Sequence, residues 1–344
     1  MMIASIVTPL LRPVTLLPGR CISTMASQSF HTGISMGIVR PTQHAGTIAN
    51  MGLNGQGFVA HMHSQPQIET IPLAHSKVEP ASTESRASDV RDRPLLILPG
   101  LFGSKQNWRS LSRFLAQQLG TTVVPLDMRN HGDSPHHPVH TYTAMCADVD
   151  AFVASQGWTS VNLLGHSMGG KVAMHAALLP GHNWLNKLVV VDMSPVAQTL
   201  SMSNIFAKYV AAMIKVDNAK VRSSAEADAI LAEVVPEIPI RQFIMTNLKK
   251  QGDTYQFRIN LEALSNGLAG LWSFDLSSDV HQFNGPTLFV AGGNSGYITP
   301  AMHPTIKRFF PASNIVSIAD AGHWVHADKP EEFVKTVVGF LKSN

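Results

Sequence analysis

Carboxylates are missing from the first fifth of this 344-residue chain. Between Met1 and Ile68 the only charged side chains are Arg12, Arg20 and Arg40, and the first acid is Glu69. Setting those three aside leaves 23 of the 26 basic residues against 23 acidic ones, so the net charge of +3 belongs to the leading segment. The rest is neutral and offers no basic face, so nucleic acid is not expected as a partner. Cysteine is scarce: Cys21 and Cys146 form no C-x-x-C pair and cannot build a disulfide framework. Long apolar runs are scarce as well. Met1–Leu11 has no leading positive charge and is broken off by Pro9 and Pro13, which argues against a secretory signal. No stretch reaches the roughly 18 apolar residues of a membrane span, so no transmembrane segment is expected. Residues 1–43, rich in Ser, Thr and Arg and free of acids, have the composition of an organelle transit peptide. A mitochondrial destination, the matrix, is therefore expected, with cleavage between Arg20 and Gln43. Residues 44–92 form a leading segment in which a strand or hairpin is expected.

What is present reads as an α/β domain over residues 93–344. A hydrophobic share of 44% is ample for a core. Short apolar runs at Leu95–Leu98, Thr122–Leu126, Val161–Leu164, Lys187–Val191, Pro286–Ala291 and Ile315–Ile318 read as strands. Helical spacing alternates with them at Asn107–Leu119, Thr143–Ser155, Lys171–Leu179 and Pro330–Leu341. Strands alternating with helices predict a mostly parallel open sheet flanked by helices. From Val196 to about residue 280 the strand signal stops. Helices are expected there at Asn204–Lys215, Ala225–Val234 and Arg241–Lys249, as a lid inserted between strands. Its apolar Ile205, Phe206, Val210, Met213, Phe243, Ile244 and Met245 are either core contacts or the lining of an acyl pocket.

The chemistry centres on Gly165-His166-Ser167-Met168-Gly169, a G-x-S-x-G sequence between a predicted strand and a predicted helix. The turn must be tight enough for the residues two before and two after the serine to touch, which requires glycine at both. Ser167 is the predicted nucleophile, exposed above the sheet edge. The N–H of Met168, at the start of the helix, is the first expected oxyanion donor. The glycine-rich loop Gly100-Leu101-Phe102-Gly103, directly after a strand, supplies the second from Leu101, with Phe102 as its neighbour. His323, in a Gly-His-Trp turn after the last strand, is placed for a general base. The acid is harder to assign. The loop after the strand two beyond the elbow, Gly292-Gly293-Asn294-Ser295-Gly296-Tyr297, holds no carboxylate. Asp192, at the end of the strand after the elbow helix, is the nearest substitute, with Glu262, Asp275 and Asp320 as rivals. Asp127 and Arg129 are expected to pair and brace their loop. His131, His136, His137 and His140 lack acidic or thiol partners at ligand spacing, so neither a metal nor any other cofactor is expected.

These motifs resemble the α/β-hydrolase superfamily from about Pro94 to the C-terminus. More narrowly, Asp127-Met128-Arg129-Asn130-His131-Gly132-Asp133-Ser134 and Gly169-Gly170-Lys171 resemble the mitochondrial α/β-hydrolase domain-containing protein 11 group, which includes bacterial esterases and yeast ethanol acetyltransferases. Pro99 departs from that pattern, which has histidine before the oxyanion glycine. The resemblance implies the α/β-hydrolase fold and a small-molecule carboxylic ester or thioester substrate with a short to medium acyl chain. Three classes follow: an ester or thioester hydrolase working through an acyl-serine, an alcohol acyltransferase using the same residues, and a non-catalytic ligand-binding protein.

Overall fold

The computed structural model describes residues 68–81 and 93–343. The predicted transit peptide, Cys21 and much of the leading segment lie outside the described residues.

Six strands form one sheet: β1 (Leu95–Leu98), β2 (Val123–Pro125), β3 (Val161–His166), β4 (Leu185–Val191), β7 (Thr287–Gly292) and β8 (Ser313–Ile318). Their order is β2-β1-β3-β4-β7-β8, and every neighbouring pair is parallel. The central strands β1, β3 and β7 are buried throughout, on both faces, which is why they read as continuous apolar runs rather than alternations. The edge strand β8 is buried only at its two ends, Ser313 and Ile318, and exposed or half-buried between them. Helices α1 (Arg109–Leu119), α2 (Tyr142–Ser155), α3 (Met168–Leu178) and α10 (Pro330–Lys342) cover the two faces. α1 stops at Gly120, whose φ of 67° is a left-handed cap, and Thr141 caps α2 by accepting the N–H of Ala144. The register pairs Leu98 with Gly165 and Gly165 with Val190. The carboxyl ends of the middle strands are therefore level, and whatever follows them emerges side by side.

Between β4 and β7 runs the insertion: α4 (Leu200–Ala219), α5 (Ser224–Ala232), α6 (Ile238–Met245), β5 (Leu248–Gln251), β6 (Thr254–Phe257) and α7 (Leu261–Leu271). The expectation of helices alone is corrected here. The helix predicted to reach Lys249 ends at Met245, and an antiparallel hairpin follows, turning at Gly252 with φ 58°. Its strands are half-exposed and largely polar, so they carry no apolar alternation; the Gly-Asp turn is their one local mark. Beyond the insertion, α8 (His303–Phe309) precedes β8 and α9 (Val325–Asp328) precedes α10.

One further expectation changes, and another is covered only over residues 68–81. Among the described residues the leading segment forms no strand of its own; it adds single antiparallel bridges from His75 and Val78 to Leu126 and Val123 at the sheet edge. Asp127 and Arg129 do not pair. The chain turns at Arg129–Asn130, where Asn130 has φ 67°, and sends the two side chains to different partners. Arg129, wholly buried, makes a two-pronged contact with Asp148 of α2 at 2.6 and 2.7 Å. A buried guanidinium needs that fork geometry to offset its desolvation. Asp127 instead accepts the N–H of Lys105 at 2.6 Å and that of Asp133 at 2.8 Å, and pairs with the Lys105 ammonium.

Candidate active site

Three segments that leave the sheet at its carboxyl edge meet at one point, the usual place for ligands in an open parallel sheet. β3 ends at His166 and α3 begins at Met168, leaving Ser167 between them at φ 54°, ψ −117°. A residue with a Cβ holds such a conformation only where its surroundings impose it. Here a Cβ on Gly165 would stand 2.2 Å from the carbonyl oxygen of Gly169, and one on Gly169 would stand 2.1 Å from that of Leu98. Neither clash can be relieved by a side-chain movement. The two glycines are what let β1, β3 and α3 close around the serine.

His323 arrives from the turn after β8. Its Nε2 lies 3.0 Å from Ser167 Oγ and its Nδ1 2.8 Å from Asp192 Oδ2. Asp192 directly follows β4, fully buried, with φ 46°. Its other oxygen accepts the N–H of Gly292 at 3.0 Å, and Oδ2 also accepts the hydroxyl of Ser295. The loop after β7, which lacks a carboxylate, thus supplies hydrogen-bond donors to a carboxylate borne by β4. The rival acids stand elsewhere. Glu262 is exposed in the first turn of α7, Asp275 accepts the hydroxyl of Ser273 at 3.0 Å, and Asp320 is 81% exposed.

The surroundings of the imidazole were not predicted from sequence. Tyr297 stacks on it with centroids 4.1 Å apart and planes 25° from parallel. Burial and the nearby Asp192 push its phenol pKa up, so Tyr297 stays neutral. His166 donates Nε2–H to the carbonyl of His323 at 2.9 Å, since a carbonyl only accepts. Burial holds His166 far below the usual histidine range. His326 stacks on Trp108 at 4.1 Å, and burial pulls it down to about 3. The stack behind His323 is therefore neutral near pH 7, and Asp192 is the charge in direct contact with its ring. No sequence signal marked these positions; the variable residue of G-x-S-x-G carries no information by itself.

The Gly100 loop is held without the histidine that Pro99 replaces. Gly103 N–H closes a turn onto Gly100 at 2.9 Å, and Phe102 sits at φ 63°. Asn247 of the insertion donates Nδ2–H to the Phe102 carbonyl at 2.8 Å, while Asp127 anchors Lys105 at the far end. Leu101 and Met168 both line the cavity at Ser167. Among the described residues neither amide is taken by a backbone acceptor. That cavity measures about 20 Å³, room for a single water. Of the predicted pocket residues only Phe206 lines it. Val210, Met213 and Ile244 are core, Met245 is half-buried, Ile205 is exposed, and Phe243 packs edge-on against Trp324 at 5.5 Å. The loop histidines have structural partners. His131 donates Nδ1–H to the Arg129 carbonyl at 3.0 Å, with burial lowering its pKa to about 4, and His136 bonds the Arg258 carbonyl at 2.9 Å. Among the described residues no group of three ligands fit for a metal occurs.

Residues 95–336 match the alpha/beta hydrolase family. A zebrafish (Danio rerio) protein named sn-1-specific diacylglycerol lipase ABHD11 is 43% identical over 253 residues, 72% of this chain and 78% of that one. A Saccharomyces cerevisiae protein named probable alcohol acetyltransferase is 36% identical over 270 residues, covering 72% and 77%. Among solved structures, a marine microorganism esterase superposes with a TM-score of 0.71 at 31% identity, covering 79% of this chain and all of that one.

Proposed function

The chain belongs to the α/β-hydrolase family, and we propose that it is a serine hydrolase of carboxylic esters or thioesters, with Ser167 as nucleophile, His323 as base and Asp192 as acid. One observation carries this reading: the unbroken line from Ser167 Oγ to His323 Nε2 at 3.0 Å and on from Nδ1 to Asp192 at 2.8 Å. With Nδ1–H committed to the buried carboxylate, the Nε2 lone pair faces the hydroxyl and takes its proton as Oγ attacks the substrate carbonyl. The tetrahedral oxyanion forms beside the free amides of Leu101 and Met168, which cost no reorganisation at that moment. Collapse breaks the bond to the leaving group, and the imidazolium returns the proton to the departing alcohol or thiol. Water then repeats the sequence on the acyl-serine and releases the acid. Because the cavity holds about one water, the insertion acts as a lid and must give way for an acyl chain to enter.

A fluorophosphonate probe tests the core of the proposal. Wild-type protein should be labelled and should release acid from simple esters. Folded Ser167→Ala should do neither, with turnover lower by several orders of magnitude. Undiminished esterase activity in that variant would refute the assignment. The yeast relative supports a second reading, acyl transfer to an alcohol. Incubation of an ester with and without ethanol separates the two: free acid alone marks a hydrolase, and a new ethyl ester marks a transferase.

For location, no helix among the described residues is long and apolar enough to cross a membrane. The acid-free leading segment with Arg12, Arg20 and Arg40 supports mitochondrial import. Residues 1–68 fused to a fluorescent reporter should reach mitochondria, less so with glutamate at 12 and 20. A cytosolic reporter would sink the idea.

A further inference from the structure

The peptide beside Ser167 is oriented by a chain of rigid planes that starts in the insertion. A Cβ on Gly100 would stand 3.1 Å from that of Ser167, so the peptide joining Gly100 to Leu101 borders the nucleophile. A peptide is planar, and fixing its carbonyl fixes its N–H as well. The Gly100 carbonyl accepts the N–H of Gly103 at 2.9 Å, which sets the direction of the Leu101 N–H. The Gly103 N–H shares its own plane with the Phe102 carbonyl, and that carbonyl accepts Nδ2–H of Asn247 at 2.8 Å. Phe102 holds φ 63°, a conformation that a residue with a Cβ keeps only under such restraint. Asn247 precedes β5 and Arg258 follows β6, and the N–H of Arg258 donates to the Asn247 carbonyl at 2.9 Å, closing the mouth of the hairpin. Both side chains turn to the same loop. The Arg258 guanidinium donates from Nη2 to Ser104 Oγ at 3.1 Å and from Nη1 to Asp133 Oδ1 at 3.3 Å. The other oxygen of Asp133 pairs with the Lys105 ammonium at 2.6 Å, so one carboxylate joins a cation of the insertion to a cation of the loop.

We propose that Arg258 is a positioning residue for the oxyanion hole: with Asn247 it clamps the loop, so that the Leu101 N–H is in place only while the mouth of the hairpin is docked. The inference rests on the hydrolase reading above and gives the insertion a part in catalysis, since its docking completes the hole. Arginine suits the task because its planar fork reaches a hydroxyl and a carboxylate at once. The residue is half-buried, and its carbonyl accepts Nε2–H of His136 at 2.9 Å, which holds the backbone as firmly as the guanidinium. Without Arg258 the Ser104 hydroxyl keeps only a 3.4 Å contact with Asn107 Oδ1, and the insertion grips the loop through Asn247 alone. A substrate that displaces the insertion on entry meets an incomplete hole. Redocking over the bound acyl group restores the donor, so the reaction waits for closure.

The test pairs turnover with affinity for a transition-state mimic. A trifluoromethyl ketone adds to the serine and puts its oxygen in the hole, whereas the matching methyl ketone stays trigonal and reports ground-state binding. Arg258→Ala should lower kcat for p-nitrophenyl butyrate about tenfold with KM within about twofold, as one oxyanion donor loses its aim. It should weaken the trifluoromethyl ketone by the same factor and leave the methyl ketone unchanged. Because Arg258 and Asn247 act through one peptide, Arg258→Ala combined with Asn247→Leu should fall little further than the worse single change. A folded Arg258→Ala with wild-type kcat, a loss confined to KM, a loss of kcat without loss of ketone affinity, or losses that multiply in the double variant would each overturn the inference and leave the hydrolase reading standing. Wild type that resists both the fluorophosphonate probe and the trifluoromethyl ketone would take both down. Should Arg258→Ala fail to fold, Ser104→Ala removes the same bond from the loop side: a joint loss of kcat and ketone affinity then supports the inference, and an unchanged kcat overturns it.

Discussion

The carboxyl edge of the sheet and the insertion that covers it are built by different means. At the edge, Ser167 and Asp192 sit directly after buried strands, both with positive φ, and around Ser167 the backbone is packed so closely that Gly165 and Gly169 have no room for a Cβ. The insertion consists of helices and a hairpin that are buried on one side only, with α4 and α6 partly exposed along much of their length. The edge holds atoms to the tenths of an ångström that proton transfer requires, and a core of fully buried strands resists deformation. The insertion is anchored to it at a few points: Lys171 on Leu271 and Ser273, and Asn247 on Phe102. On the proposed reading, chemistry depends on the sheet edge and choice of substrate on the insertion.

The contrast is sharpest at the acid. Asp192→Asn should lower kcat by up to ~10⁴, because tautomer control of His323 is lost, while the melting temperature shifts by only a few degrees. Glu262→Gln, on the exposed face of α7, should leave turnover within about twofold. A crippled Glu262→Gln beside a mild Asp192→Asn would move the acid from the sheet edge to the insertion and erase the distinction.

Asn247 probes the boundary from the other side. It is an insertion residue, wholly buried, whose amide holds the loop bearing Leu101. Asn247→Leu should reduce kcat on the order of ten- to a hundredfold, as one oxyanion donor loses its placement, with a smaller effect on KM. An unchanged kcat with raised KM would confine the insertion to binding alone. Ser295→Ala, which removes one donor from Asp192 but leaves Gly292 N–H and His323, should cost about tenfold in kcat.

The smallest effect concerns Lys171. Burial lowers its pKa from the ordinary lysine value to about 8. Between pH 8 and the ordinary lysine range the unfolded chain holds this proton and the folded one does not, so the group's contribution favours folding as pH rises and disappears as pH falls through 8. The melting temperature of wild type relative to Lys171→Met should therefore increase by a few degrees from pH 8 to 10. A gap that is flat or shrinks over this range would place the charge in a better solvated site.

How far the sequence reached follows from the range of each interaction. The strands of the sheet were legible because burial on both faces demands unbroken apolar runs, as in Leu95-Leu-Ile-Leu98. Ser167 was legible because its constraint is local: two glycines within two residues leave a mark that needs no knowledge of the rest. Asp192 was reached by elimination, since the usual loop held no acid. The hairpin of the insertion was missed because half-exposed polar strands carry no periodic signal. Arg129 was matched to the nearest acid in sequence, whereas burial sent it to Asp148 on another helix. Sequence alone determined which chemistry the chain is equipped for, through short motifs whose geometry is enforced by neighbours along the backbone. Only the tertiary structure decided which acid faces His323, which donors hold that acid, and which carbonyls of the insertion Lys171 grips. Those relations join residues roughly a hundred positions apart or more, and only the packing of strands and helices brings them within the few ångströms over which hydrogen bonds act.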